Sequence, residues 1–346
     1  MLGKSGAGLR TLAGVAVASL LLTAGCSTAS TSGSAPASSA AKANLNMTFL
    51  PKNLGNAYFD TSFKGAQTGV AAVGGTVTQV GPAKSTPDSQ VSYIQTATQQ
   101  QVGALIVSAN DKSAICDSLK EAMTAGVKVV TFDSDTTADC RNLFVNQATS
   151  DGIAKVEIDI IASEIGDAGE IAILSGAPNA TNQNTWIALM KTDLAANHPN
   201  VKLVDIVYPG DDDQASFDAT AGLLSAHPNL KGIVSPTTVG ISAAARYLST
   251  SKAKGKVMVT GLGTPNQMRA FVKDGTVTEF ALWNPEDLGT LAAYAAAALV
   301  KGEITGKEGD KFTAGKLGAF TVGADATVLL GQPLKFNKDN IDNFNF

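Results

Sequence analysis

Residues 104–135, ALIVSANDKSAICDSLKEAMTAGVKVVTFDSD, decide the fold. Ala104–Ser108 and Val127–Phe132 are short apolar runs rich in Leu, Ile and Val, and the segment between them, 113–125, carries a helical pattern. Apolar runs alternating with helical segments predict a parallel sheet covered by helices. The pattern extends outward on both sides. Upstream, strands are expected at Leu45–Leu50 and Thr76–Val80, with helices near 60–73 and 88–101. Downstream the series restarts, with strands at Glu170–Leu174, Val201–Tyr208, Gly232–Ser235 and Val257–Gly261 and helices near 150–166, 181–196, 213–226, 239–250 and 265–274. Two sets of similar length predict an α/β chain of two Rossmann-like lobes. A further strand, Thr278–Leu282, an alanine-rich helix, Glu286–Val300, and an alternating stretch, Ala319–Phe336, complete the chain.

With 346 residues, 44% hydrophobic and 16% charged, the chain has apolar material for one large or two medium cores, which excludes a disordered or fibrous protein. Against 30 acidic residues stand 26 basic ones, only four of them arginine (Arg10, Arg141, Arg246, Arg269), so nothing favours a nucleic-acid partner.

Lys4 and Arg10 precede a short apolar run, Leu12–Leu22, too short to span a bilayer, and Leu22-Thr-Ala-Gly-Cys26 follows. Residues 1–25 therefore read as an export signal. A cysteine directly after Ala-Gly resembles the lipobox of bacterial lipoproteins, in which Cys26 becomes the lipidated first residue; the alternative is an ordinary secretory signal. Residues 26–43, rich in Ser, Ala and Thr, read as a tether. The expected location is extracytoplasmic, with the chain anchored to the cell membrane. In an oxidising compartment Cys116 and Cys140 favour a disulfide over a pair of buried thiols. Two cysteines and the turn histidines His198 and His227 do not make a metal site, and none is expected.

In open parallel sheets ligands gather where strands end and helices begin. The polar groups there are Lys52-Asn53, Ala109-Asn110-Asp111, Asp133-Ser134-Asp135, Asn182-Gln183-Asn184, Pro236-Thr237-Thr238 and Gly263-Thr264-Pro265-Asn266. This set is rich in hydrogen-bonding groups and poor in catalytic ones.

Residues 45–346 resemble the type I periplasmic sugar-binding proteins of ABC transporters, and are most similar to the rhamnose- and autoinducer-2-binding branch. The likeness is carried by 49–60 (FLPKNLGNAYFD), 129–135 (VVTFDSD), 180–186 (ATNQNTW), 234–240 (VSPTTVG), 261–268 (GLGTPNQM) and 279–285 (EFALWNP). It implies two lobes joined by a three-strand hinge, with 44–149 plus 284–317 forming the N-terminal lobe and 150–283 plus 318–346 the C-terminal one. It also implies a monomer without cofactor or catalysis, a sugar ligand, and an ABC transporter permease as partner.

Carried over position by position, the resemblance implies that Lys52 reaches ligand oxygens, that Tyr58 or Phe59 covers the sugar face, and that Asp133 takes hydroxyls. Asn110 matches a loop asparagine, and Asn182 with Gln183 falls where the autoinducer-2 relatives hold an Asp-Gln pair. Pro236 and Thr238 match a backbone and side-chain contact, and Trp283 lies at a hinge position. Asp135 stands in second rank, facing the cleft or capping its own loop. Ser134 and Asn182 stand where ribose-type binders place arginines, and Leu262 replaces an acidic residue. These departures disfavour ribose and suit a deoxy-sugar bearing a methyl group, L-rhamnose first, with autoinducer-2 as the alternative.

A sugar needs carboxylates or amides in the plane of its hydroxyls and rings above its C–H face. A buried charge-assisted bond from Asp133 or Lys52 would contribute about 1.5–3 kcal/mol. Each residue also has a plainer reading. Asp133 could cap a helix, Asn182 and Gln183 could open one, and Phe59 and Trp283 could be core aromatics. Asp211-Asp212-Asp213 reads as a solvated cap without the spacing of a calcium loop. Gly261-Leu-Gly-Thr-Pro lacks the third glycine of a dinucleotide fingerprint, and no nucleophile elbow or Walker motif occurs. Nothing arranges Asp60, Asp133 or Asp135 as a proton donor for glycoside cleavage.

Overall fold

The computed structural model describes residues 43–346. The expected signal, Cys26 and all but the last residue of the tether lie outside the described residues. The first lobe opens with β1 (Asn46–Leu50), α1 (Ala57–Ala72), β2 (Thr76–Gln79), α2 (Val91–Gln99), β3 (Ala104–Val107), α3 (Cys116–Thr124), β4 (Lys128–Phe132) and β5 (Leu143–Ala148). The chain then builds α4 (Ser150–Glu164), β6 (Gly169–Leu174), α5 (Thr181–Asn197), β7 (Val201–Val207), α6 (Asp213–Ala226), β8 (Leu230–Ser235), α7 (Thr238–Thr250), β9 (Met258–Gly261), α8 (Pro265–Lys273) and β10 (Glu279–Leu282). It ends with α9 (Pro285–Lys301), the hairpin strands β11 (Lys311–Thr313) and β12 (Ala319–Thr321), then β13 (Thr327–Gly331) and β14 (Leu334–Asn337).

One sheet runs β13-β5-β4-β3-β1-β2, parallel throughout. Its central strands β3 and β4 read as nearly continuous apolar runs because both faces are buried. Phe49, Ile106, Val130 and Phe132 face the layer of α1 and α9, whereas Leu50, Leu105, Val107 and Val129 face α2 and α3. The second sheet, β7-β6-β8-β9, is also parallel, and the antiparallel ribbon β10–β14 joins it through the Leu262–Ala281 bridge.

The chain passes between the sheets at Ala148–Ser150, at Leu282–Pro285 and at Gly331–Leu334. The last crossing corrects the expected return at 318. Thr327–Gly331 extends the first sheet beside β5, pairing Thr327 with Phe144 and Gly331 with Ala148. The alternating stretch 319–336 thus divides between the lobes at Gln332-Pro333, where proline withholds a donor from the ladder. After the second crossing α9 returns to the first lobe and lies directly on α1. A Cβ at Gly65 would come 1.8 Å from the Glu286 carbonyl, and one at Gly289 would come 1.8 Å from that of Ser62, so only glycine permits this approach. Cys116 and Cys140 are joined in a disulfide, with Cα atoms 5.3 Å apart, tying the start of α3 to the loop before β5.

Two acids sit oddly in this frame. Glu157 and Glu164 lie two turns apart on α4, which packs against β8, β9 and β10, and neither Glu157 carboxylate oxygen has a hydrogen-bond partner among the described residues. Burial alone pushes Glu157 well above the ordinary glutamate range, and burial foremost lifts Glu164 from 4.5 to about 8. The unfolded chain loses these protons near pH 4.5 while the folded chain keeps them, so stability falls as pH rises from about 4.5 towards 8. Glu157→Gln is expected to flatten this slope: in urea unfolding the variant should gain on the wild type as pH rises from 5 to 8, with little difference near pH 4.

Candidate functional site

The carboxyl ends of both sheets face one another across a cleft. A cavity lies there, lined by Lys52, Asn56, Tyr58, Phe59 and Asp133 from the first lobe. Asn182, Gln183, Trp186, Asp211, Pro236, Thr237, Thr238 and Leu262 line it from the second, with Leu282 and Trp283 at the middle crossing. Three helices begin at its wall, α1 after Asn56, α5 at Thr181 and α7 after Thr237, so the positive ends of their dipoles point toward the cavity.

Asp133 follows β4 with φ +60°, a left-handed conformation that aspartate tolerates better than most residues. Its Oδ1 accepts from the Tyr58 hydroxyl (3.0 Å) and its Oδ2 from Ser108 Oγ (2.7 Å), while Gln147 Nε2 donates to its carbonyl (3.1 Å). The Tyr58 oxygen accepts in turn from Trp283 Nε1 (2.9 Å), making a relay from the middle crossing to the carboxylate. Burial raises the Asp133 carboxyl above its ordinary range, and the Lys52 charge and the two hydroxyls oppose that rise. Burial also lifts the Tyr58 phenol well up, and the Asp133 charge adds to it.

Lys52 is buried, and desolvation lowers its ammonium while Asp133 and Asp211 support the charge. Its Nζ donates to Asn182 Oδ1 (2.8 Å) on the opposite lobe. A second bond across the cleft runs from Asn179 Nδ2 to the Asn110 carbonyl (2.7 Å). Gln183 Oε1 accepts from Ser175 Oγ (3.0 Å) and Gly176 N (2.8 Å), and its amide N–H groups have no partner among the described residues. Phe59 packs edge-on to Tyr58, and Trp283 stands 6.2 Å from Trp186, so rings and leucines form an apolar wall beside the charged groups.

Of the residues expected from sequence, the structure brings Lys52, Phe59, Asp133, Asn182, Gln183, Pro236, Thr238 and Trp283 to one cavity. Asn110 and Asp135 do not line it. Asn110 sits behind it, donating to the Lys52 carbonyl (3.0 Å) and to Ser89 Oγ (3.1 Å), and so shapes the loop that carries the lysine. Asp135 is taken by the Arg141 guanidinium in a two-pronged pair (2.6 and 2.8 Å) and by Thr131 Oγ1 (2.5 Å), an anchor that turns it from the cleft. The acidic run also divides. Asp212 caps α6 by accepting from Ala215 N (2.8 Å), Asp213 pairs with Arg246, and the half-buried Asp211 borders the cavity. Trp186 lies within the quoted 180–186 segment but was not singled out as a site residue, although helical spacing from Gln183 puts it on the same face of α5.

Tyr58→Phe removes the oxygen that serves both Trp283 and Asp133. It should destabilise the ligand-free protein by about 1–3 kcal/mol in urea unfolding, because two buried polar groups lose a partner.

Over residues 47–304 the chain matches the periplasmic binding protein domain. A sugar ABC transporter structure from Actinomyces odontolyticus is 51% identical, with 87% of this chain and 97% of that one covered and a TM-score of 0.71. An ABC transporter solute-binding protein from Clostridium phytofermentas with bound L-rhamnose is 37% identical, with 86% and 97% covered and a TM-score of 0.83. LsrB from Clostridium saccharobutylicum, in complex with AI-2, is 27% identical, with 87% and 100% covered and a TM-score of 0.82.

Proposed function

We propose that L-rhamnose is the cargo of this chain, which belongs to the periplasmic binding protein family and is the extracytoplasmic solute-binding component of a sugar ABC transporter, not an enzyme. The observation that carries the reading is the division of the cavity wall. Asp133, Lys52, Asn182 and Gln183 offer charge and amides to sugar hydroxyls, while Leu262, Leu282, Trp186 and Trp283 offer only apolar surface. L-Rhamnose has a methyl group where a common hexose has a hydroxymethyl, and that methyl matches the leucine and tryptophan side. A hydroxyl placed there would be buried without a partner, at a cost of about 1–3 kcal/mol.

In this reading Lys52 and Asp133 bind from the first lobe and Asn182, Gln183, Pro236 and Thr238 from the second, with Phe59 and Trp283 against the sugar's C–H surface. Asn110 supports Lys52 from behind. The ligand joins the lobes, and the permease recognises the joined state because both lobes then present their surfaces in one relation. We further propose that the protein acts as a monomer held at the membrane by a lipid on Cys26, with the Ser/Ala-rich segment as tether.

Titration calorimetry on a soluble form beginning at Ser27 tests the cargo, with L-rhamnose, L-mannose, ribose, xylose, galactose and AI-2 as ligands. L-Rhamnose should bind saturably. L-Mannose, which differs from it by one added hydroxyl, should bind about ten- to a hundredfold more weakly. Asp133→Ala should lose at least about tenfold in affinity for L-rhamnose. Saturable binding of AI-2 in place of L-rhamnose would make the protein a signal receptor and overturn the proposal.

A further inference from the structure

Asp211 is the acid of its run that faces the ligand cavity, and four features hold it there. The turn before α6 is left-handed at two consecutive residues, Gly210 at φ +83° and Asp211 at φ +56°. Gly210 N donates to the Gly176 carbonyl (3.0 Å), pinning that turn to the end of β6. Gly176 itself makes the room: a Cβ there would lie 2.6–2.7 Å from the three carboxyl atoms of Asp211, so the carboxylate rests in a hollow that only glycine leaves open. Thr237 Oγ1, at the start of α7, donates to Asp211 Oδ1 (2.5 Å) and fixes its direction.

The oxygens differ in what remains to them. Both Asp133 oxygens already accept from protein hydroxyls, and the Asn182 and Gln183 oxygens are likewise engaged. Asp211 Oδ2 accepts no hydrogen bond among the described residues, although the carboxylate borders the cavity. Its charge also acts on the first lobe, supporting the Lys52 ammonium and opposing ionisation of Asp133. A buried or half-buried carboxylate oxygen that is directed, free and set opposite an ammonium is suited to a hydroxyl donor supplied by the ligand.

We propose that Asp211 is a specificity-determining residue: its free Oδ2 accepts one hydroxyl of the bound sugar from the second lobe, opposite Asp133, with Thr237 as its positioning residue. The sugar is then held by one carboxylate from each lobe, and a sugar lacking that hydroxyl, or presenting it on the other face, leaves Asp211 unpaired at the cleft. This rests on the sugar-binding reading above.

The test is calorimetry with L-rhamnose and its monodeoxy analogues on wild type, Asp211→Asn, Thr237→Val and, as control, Asp212→Asn. Asparagine tolerates the left-handed turn and keeps an acceptor for Thr237, so the first variant should fold, while an amide N–H replaces the free oxygen. Asp211→Asn should bind L-rhamnose about ten- to a hundredfold more weakly, Thr237→Val should lose less, and Asp212→Asn should match wild type. One deoxy analogue should bind wild type and Asp211→Asn alike, a loss of additivity that general loosening of the fold would not produce. Unchanged affinity in Asp211→Asn, or an equal further loss with every analogue, would overturn the inference while the sugar reading stood. Absence of L-rhamnose binding by wild type would instead remove the premise and the inference with it.

Discussion

A buried ammonium and a buried carboxylate, Lys52 and Asp133, set the terms for the rest of the cleft. An isolated charge in such surroundings is expensive, so each must be surrounded by partners. Asp133 is supplied within its own lobe and by the crossing, through Ser108, Tyr58 and, behind Tyr58, Trp283. Lys52 has the Asp133 charge in its own lobe and, from the other lobe, the Asn182 oxygen, with Asp211 adding to the field there. Compensation of the lysine is therefore complete only with the lobes together. On the proposed function, the side chains that bind the sugar are also those that join the lobes, the coupling a transport receptor requires.

The fold serves this arrangement by interleaving rather than by simple succession. Three crossings place Trp283 between the lobes, return α9 to α1 through the glycine contacts at 65 and 289, and give β13 to the first sheet. Helix starts and strand ends from separate parts of the chain then meet at one cavity. Its lining sets charged, amide and hydroxyl groups beside an apolar wall.

Much of this was legible from the sequence because a parallel sheet buried on both faces leaves little freedom in its strands, as β1, β3 and β4 illustrate. Strand β5 was not legible, since Asn146-Gln147 interrupts its apolar run, and the interruption has a use: Gln147 supports the Asp133 backbone. The return at Gln332-Pro333 was hidden because alternation in 319–336 marks strands without saying which sheet takes them. Within the site, the rule that ligands collect at strand ends found Lys52, Asp133, Asn182 and Gln183. It could not separate Asp133 from Asp135, because the distinction lies in Arg141, nor Asp211 from Asp212, because the distinction lies in Gly176 and Thr237. Local sequence carries the capping signal, whereas contacts between distant segments decide which acid enters the cleft.

The chain has only two tryptophans, and both line the cavity, which gives the central claim a direct optical reading. Intrinsic tryptophan fluorescence of the soluble form should change saturably on addition of L-rhamnose, at the same concentrations that saturate the calorimetric signal, because the sugar displaces water from Trp186 and Trp283. Saturable calorimetric binding that leaves the emission of both tryptophans unchanged would place the ligand outside the cleft and contradict the account.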